Sequence, residues 1–340
     1  MRSHRTAPAR ALALAGVLAL TLGACSSLDS AAPSGEGGGE AAGIDELSLI
    51  VPADPGGGWD QTARAMQADL QSEGLLSTAT VTNVGGAGGT VGLANLANTT
   101  DPHTLMVMGL VMVGAVETNQ SQARLEDTTP IARLTEEQEV IVVPADSPYQ
   151  TIDDLVEDVK ENGKDVAITG GSAGGTDHIV AAMLLKAAGI APDEVGDKLN
   201  YIAYSGGGES LAALLGGNVD AGISGVGEYA EQVKAGELRA LAVSGGERAG
   251  LLPDTPTLTE SGYDVVLTNW RGVVAPGSVT EEQAAALTEL VTTLAESESW
   301  QATLTENGWD DAFLAGEEFD TYLGENITEI QGILQDIGLV

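Results

Sequence analysis

The residues of this 340-residue chain best suited to chemistry lie in four glycine-rich turns. They are Pro55-Gly56-Gly57-Gly58-Trp59-Asp60, Gly85-Gly86-Ala87-Gly88-Gly89-Thr90, Gly170-Gly171-Ser172-Ala173-Gly174-Gly175-Thr176 and Ser205-Gly206-Gly207-Gly208-Glu209-Ser210. Each joins a strand-like run to a helix-like one. At such a junction the first N–H groups of the helix have no partner inside it, and the helix dipole favours a negative group there. Glycine has no Cβ, so a ligand can approach the backbone closely. Read alone, any one of the four is a tight turn that uses glycine to save space; four of them at the carboxyl ends of strands point to capture of a small anion by amide and hydroxyl donors.

Other chemistries fit less well. No turn has the G-x-x-x-x-G-K-[ST] phosphate loop, because the only Gly-Lys pair, Gly163-Lys164, is followed by Asp165. Gly86-Ala87-Gly88 is followed by Val91 where a dinucleotide fingerprint places glycine, so nucleotide binding is disfavoured. Gly170-Gly171-Ser172-Ala173-Gly174 matches the nucleophile elbow of serine hydrolases and makes Ser172 the one alternative catalytic candidate. That reading needs a later histidine as base, and the last histidine, His178, is only six residues on, in the first turns of the same helix-like run. No catalytic residue is assigned, and the expectation is a binding protein and not an enzyme. One cysteine and three scattered histidines form no metal-ligand cluster, so neither a metal nor a cofactor is expected.

The elements that carry these turns alternate along the chain. Strand-like runs cover Leu47 to Pro52, Thr78 to Asn83, Thr104 to Met108, Glu139 to Val143, Asp165 to Thr169, Leu199 to Ala203, Val219 to Ile223 and Leu238 to Val243. Strands alternating with helical segments indicate an α/β fold with sheets covered on both faces. Trp59, Ala63, Met66 and Leu70 make one helical stripe, and Phe319, Leu323, Ile327, Ile330 and Leu334 make another. Thr280 with Gln283 forms a capping box ahead of the stripe Ala284, Leu287, Val291 and Leu294. The stretch Glu136 to Pro144 reads as an extended crossing between two lobes, with Leu238 to Ser244 as the return. This places lobe 1 at 46–137 plus 245–340 and lobe 2 at 138–244.

The amino terminus has the layout of a secretory signal over residues 1–24, with Arg2, Arg5 and Arg10 before the apolar run Ala11 to Leu22. That run is shorter than the roughly 20 apolar residues of a membrane-spanning helix. Leu22-Gly23-Ala24-Cys25 reads as a lipobox, making Cys25 the lipidated first residue of an extracytoplasmic, membrane-anchored protein. Residues 25–45 are rich in Gly, Ser, Ala and Glu and read as a flexible tether. The formal net charge of −36 excludes nucleic acid as a partner, since neutralising phosphates requires clustered Lys and Arg. It describes a self-repelling, solvated surface and says little about a ligand held by local donors.

The turns also carry a family resemblance. Val51-Pro52-Ala53-Asp54-Pro55-Gly56-Gly57-Gly58-Trp59-Asp60, Asn83 to Thr90, Gly170 to His178, Tyr204 to Gly208, Leu214 to Asp220, Lys234 to Val243 and Leu252 to Thr257 together resemble the receptors of tripartite tricarboxylate transporters, the Bug/TctC family. The resemblance implies a two-lobed, periplasmic-binding-protein-like Venus flytrap with two hinge crossings. It further implies a small carboxylate ligand, a tricarboxylate or dicarboxylate such as citrate, passed by a monomer to the large and small subunits of an integral-membrane permease. Carried onto this chain, the positions that meet the ligand are Gly57, Gly58, Asp60, Ala87, Gly88, Gly89 and Thr90 from the first two turns. From the second lobe they are Ser172, Thr176, Ser205, Gly206 and Ser224. A tethered sensor that shows its bound carboxylate to a signalling partner would need the same closing receptor, and the residues leave both roles open. Where many relatives carry an aromatic residue after the first strand's proline, this chain has Ala53-Asp54, which brings a carboxylate toward the cleft.

Overall fold

The computed structural model describes residues 43–204 and 207–340; the expected signal, tether, Cys25, Ser205 and Gly206 lie outside the described residues. The described residues form ten strands: β1 Glu46–Val51, β2 Thr78–Asn83, β3 Thr104–Gly109, β4 Thr129–Pro144, β5 Ala167–Gly170, β6 Asn200–Ala203, β7 Ala221–Gly225, β8 Leu238–Val243, β9 Thr268–Ala275 and β10 Asp310–Ala315. They are ordered β2-β1-β3-β9-β4-β7-β5-β6, with β8 and β10 also paired to β4.

The long strand β4 organises this arrangement. Its first part pairs antiparallel with β9, ending at Gln138↔Thr268, and with β10. Its second part pairs with β7, starting at Glu139↔Gly225, and with β8. The partners therefore change between two consecutive residues. On the first side, β2, β1 and β3 run parallel; on the other, β6, β5 and β7 run parallel. Parallel strands require covered faces and read as apolar runs, and β3, Thr-Leu-Met-Val-Met-Gly, is buried along its whole length.

Period-two alternation decides which way β4 packs. Ile141 and Val143 enter the larger apolar core, whereas Val140 and Val142 enter a smaller one with Leu214, Tyr229 and Leu238. The helix Gly58–Ser72 buries Trp59, Ala63, Met66 and Leu70 as its stripe predicts. The helix Glu281–Ala295 begins at the predicted capping box: the Gln283 amide N–H donates to Thr280 Oγ1 at 3.2 Å, and the Thr280 N–H to Gln283 Oε1 at 2.9 Å. The last helix, Glu317–Asp336, brings Phe319 edge-on to Trp270 of β9, ring centroids 5.8 Å apart, and Trp270 Nε1 donates to Asn326 Oδ1 at 3.0 Å. The carboxy-terminal helix thus packs onto β9, the strand that lies between β3 and β4.

Two strands escape the sequence reading. β9 and β10 are not among its runs, and β4 begins at Thr129, well before the expected crossing at Glu136. Both strands owe their existence to antiparallel pairing with β4 across large sequence separations.

Candidate functional site

The turns after β1, β2 and β5, and the end of β7, converge on a cavity of about 180 Å³. Gly57, Gly58, Ala87, Gly88 and Gly89 line it from one side, and Ser172, Thr176 and Ser224 from the other. Two expected residues are not part of its lining. Asp60 is buried and accepts from the Gly56 amide at 2.8 Å, Arg64 Nε at 2.8 Å and Asn83 Nδ2 at 2.9 Å, so it organises its own turn. Burial works against its ionisation, but the hydrogen bonds from Arg64, Asn83 and Gly56 outweigh it and hold its carboxyl below the usual range. Thr90 donates its hydroxyl to Ala87 O at 3.0 Å and is likewise buried.

The second turn is the most open to a ligand. Gly86, Ala87, Gly88 and Gly89 all have positive φ, at 124°, 50°, 61° and 92°. The Gly89 amide is used by Gly86 O, and among the described residues the amides of Ala87 and Gly88 meet no acceptor. The Ser172 hydroxyl, across the cavity, also makes no hydrogen bond among the described residues, and the Ser172 Cβ lies 3.9 Å from where a Gly88 Cβ would stand. That missing Cβ would also come within 2.5 Å of the Ala115 Cβ. Gly88→Ala should therefore lower the unfolding free energy by about 1 to 2 kcal/mol, the usual penalty for an L-residue in the left-handed region. Urea unfolding reads this directly, and an unchanged midpoint would show that the turn relaxes freely.

Two of the chain's own carboxylates also line the cavity. Asp177 accepts from the Gly171 amide in a short hydrogen bond. Glu228 sits against Gly207, where a Cβ would collide with its Oε2, and that oxygen accepts from Ser224 Oγ. Thr176 is fully buried, and its Oγ1 donates to Asn269 Oδ1 of β9 at 3.2 Å, joining the two sides of the cavity.

The sequence reading missed a buried charge cluster in the cavity wall. Arg271 of β9, 4% exposed, pairs through Nη2 with Glu137 of β4, 3% exposed, and both line the cavity. Arg271 Nη1 is buried without a partner, while the guanidinium stacks 5.3 Å from the Trp309 ring. Burial raises the Glu137 carboxyl, opposed by Arg271 and reinforced by Glu228. Glu139, fully buried, has no hydrogen bond to either oxygen. Burial first, then Asp177, Glu137 and Glu228, push its carboxyl far up. Asp177 is pushed to about 7, chiefly by burial and against the hydrogen bond from Gly171. A proton on Glu139 supplies the donor that the Asp177–Glu139 pair otherwise lacks.

His178 is held away from the role of a base for Ser172 by its own contacts. His178 Nδ1 accepts from the Gly174 amide at 3.1 Å, and its ring stacks on Tyr201 at 4.1 Å. Burial lowers the ring to about 4, so it is neutral near pH 7 and held by packing, with no hydrogen bond to the serine. Among the described residues, no group of three or more His, Cys, Asp or Glu is arranged to hold a metal ion.

The chain is similar to known proteins over most of its length. Residues 62–339 match the family described as the tripartite tricarboxylate transporter family receptor, TctC. The UPF0065 protein from the TAR-I ttuE-ttuC' intergenic region of Agrobacterium vitis is 32% identical over 234 residues, 68% of this chain and 65% of that protein. The crystal structure of a TctC solute binding protein from Polaromonas superposes with a TM-score of 0.65 at 25% identity, covering 86% of this chain and 99% of the other. An R. palustris structure with adipate superposes with a TM-score of 0.76 at 21% identity, covering 87% and 98%.

Proposed function

Since the chain belongs to the tripartite tricarboxylate transporter receptor family, it is an extracytoplasmic solute-binding protein and not an enzyme, and we propose that it captures a small carboxylic acid in the cavity between the turns. The observation that carries this reading is the group of donors left open on one cavity: the Ala87 and Gly88 amides on one side and the Ser172 hydroxyl on the other. A buried carboxylate is stable only when several N–H and O–H groups meet it, and charge-assisted hydrogen bonds of this kind are the stronger ones. The adipate held by the R. palustris neighbour supports the same ligand class.

The proposed lobes are 46–137 with 245–340 and 138–244. The change of β4 partners between Gln138 and Glu139 supports that division, as does the return of the last helix onto Trp270. Closure of one lobe on the other would bring Ser172, Thr176 and Ser224 against the first-lobe turns. The liganded form would then be handed by a monomer to the large and small subunits of a membrane permease. Among the described residues no helix is long and apolar enough to cross a membrane, and attachment is proposed through lipid on Cys25.

Thermal unfolding of the chain against citrate, tricarballylate, short dicarboxylates, aromatic monoacids, amino acids and sugars tests the ligand class. A ligand that binds only the folded form stabilises it by about 2.7 kcal/mol at a hundredfold excess over its Kd. Stabilisation by carboxylic acids is expected; stabilisation by sugars alone would sink the reading.

A further inference from the structure

The cavity is not built for a ligand that is anionic throughout. Asp54, Glu137, Asp177 and Glu228 line it, and among the described residues Arg271 is the only cation in the lining. Arg271 is paired to Glu137 alone, whereas Asp177 and Glu228 have no Lys or Arg partner among the described residues. Within the same set Glu228 Oε1 is unengaged, because Ser224 takes only Oε2. Asp177 also takes the Gly171 amide of the turn after β5, where an anionic ligand group would otherwise sit, and Glu228 stands against Gly207. At the Gly86–Gly89 turn the Ala87 and Gly88 amides are open among the described residues, and Arg271, nine-tenths buried with its Nη1 unpartnered, belongs to the same lining. Pro52, Trp59 and Val111 add apolar surface to the wall. Among the described residues these acids form no group of three arranged to hold a metal ion.

We propose that the ligand is a zwitterion, one carboxylate joined by a short apolar chain to a cationic nitrogen, with the nitrogen against Glu228 and Asp177 and the carboxylate at the Gly86–Gly89 turn and Arg271. The inference rests on the carboxylate-receptor reading and narrows it. A dicarboxylate of the same length would bring its second anion beside two acids that have no cationic partner among the described residues, and away from bulk water like charges repel far more strongly. An ammonium there gains charge-assisted hydrogen bonds instead.

Isothermal titration of the full chain at pH 7.5 tests the proposal with matched probes: ω-amino acids from β-alanine to 5-aminovalerate, α-amino acids and glycine betaine, then succinate and glutarate, and n-butylamine. A zwitterion should bind at least tenfold more tightly than the dicarboxylate with the same number of methylenes. Glu228→Gln, whose amide oxygen can still accept from Ser224, should weaken that zwitterion at least tenfold and narrow the gap to the dicarboxylate, with thermal melting confirming that the variant is folded. Glutarate or succinate binding as tightly as the matched amino acid overturns the inference and leaves the carboxylate receptor standing. Butylamine binding as tightly as γ-aminobutyrate overturns both. No response to any zwitterion, or a zwitterion affinity indifferent to Glu228→Gln, overturns the inference.

Discussion

Arg271→Met should destabilise the protein by about 3 to 5 kcal/mol, the range typical of removing one partner from a buried ion pair. Glu137 is 3% exposed, and Arg271 is the only basic group bonded to it among the described residues. The loss does not mean that the pair contributes that much net stability, because burying both charges carries its own desolvation cost. It measures what remains when one charge is stranded. Two controls separate these effects. Glu137→Gln in the Arg271→Met background should recover most of the loss, since an uncharged amide can stay buried at far lower cost. Acidification should also rescue the single variant: burial already raises the Glu137 carboxyl while Arg271 opposes the rise, so without Arg271 the group protonates at higher pH. The folded form then holds a proton that the unfolded form releases above its ordinary range near 4.3, and stability is regained as pH falls through the raised value. Urea unfolding at pH 5 and pH 8 reads both effects, and a loss under about 1 kcal/mol at pH 8 would mean that Glu137 is already neutral beside the guanidinium.

Much of the frame was legible because it is encoded locally. The capping box at Thr280 and Gln283 needs only three residues of separation, and the stripe from Phe319 to Leu334 needs only helical spacing. The four turns announce themselves by composition, and eight of the twelve expected ligand positions line one cavity. The charge cluster had no such signal, because Arg271 and Glu137 stand 134 residues apart and meet only when β9 pairs with β4. Glu136-Glu137-Gln138-Glu139 looks like a solvated crossing by composition. A period-two reading carried backward from Ile141 and Val143 would have put Glu137 and Glu139 on the same face as those buried residues, and both are buried. Arg271 between Trp270 and Gly272-Val273-Val274 offered a similar hint, a lone cation in an otherwise apolar run. The donor turns were misjudged for a related reason. Glycine and a free helix end can be read from sequence, but that Asp177 takes the Gly171 amide and that Glu228 stands against Gly207 is fixed only in the folded chain.

Asp177→Asn should stabilise the protein at neutral pH and above and remove the fall in stability that the Asp177 carboxyl causes between about 4 and 7. In the folded protein burial pushes the Asp177 carboxyl to about 7, from an ordinary value of about 3.9 in the unfolded chain. The folded form therefore binds more protons than the unfolded one between those values, and stability falls as pH rises through the window, by up to about 1.4 kcal/mol per pH unit for each such proton. Glu139, raised further by burial and by Asp177, extends the same trend to higher pH. His178 pulls the other way below about 6.5, because its ring, lowered to about 4 by burial, stays neutral in the folded form while the unfolded ring takes up a proton. That contribution is common to both proteins and cancels in their difference. The carboxylates held low by hydrogen bonds, Asp60, Asp154, Asp158 and Glu260, act only at more acidic pH. In the variant the carbonyl oxygen of the substituted side chain would still accept from the Gly171 N–H, and its NH₂ would give Glu139 the donor that otherwise has to come from a shared proton. The gain over wild type should thus grow from pH 5 to about pH 7 and then level off in urea unfolding, while removing one of the two acids proposed to hold a cationic nitrogen should weaken a zwitterionic ligand. Parallel pH curves for the two proteins would instead place the titrating proton elsewhere in the cluster, on Glu137 or Glu139.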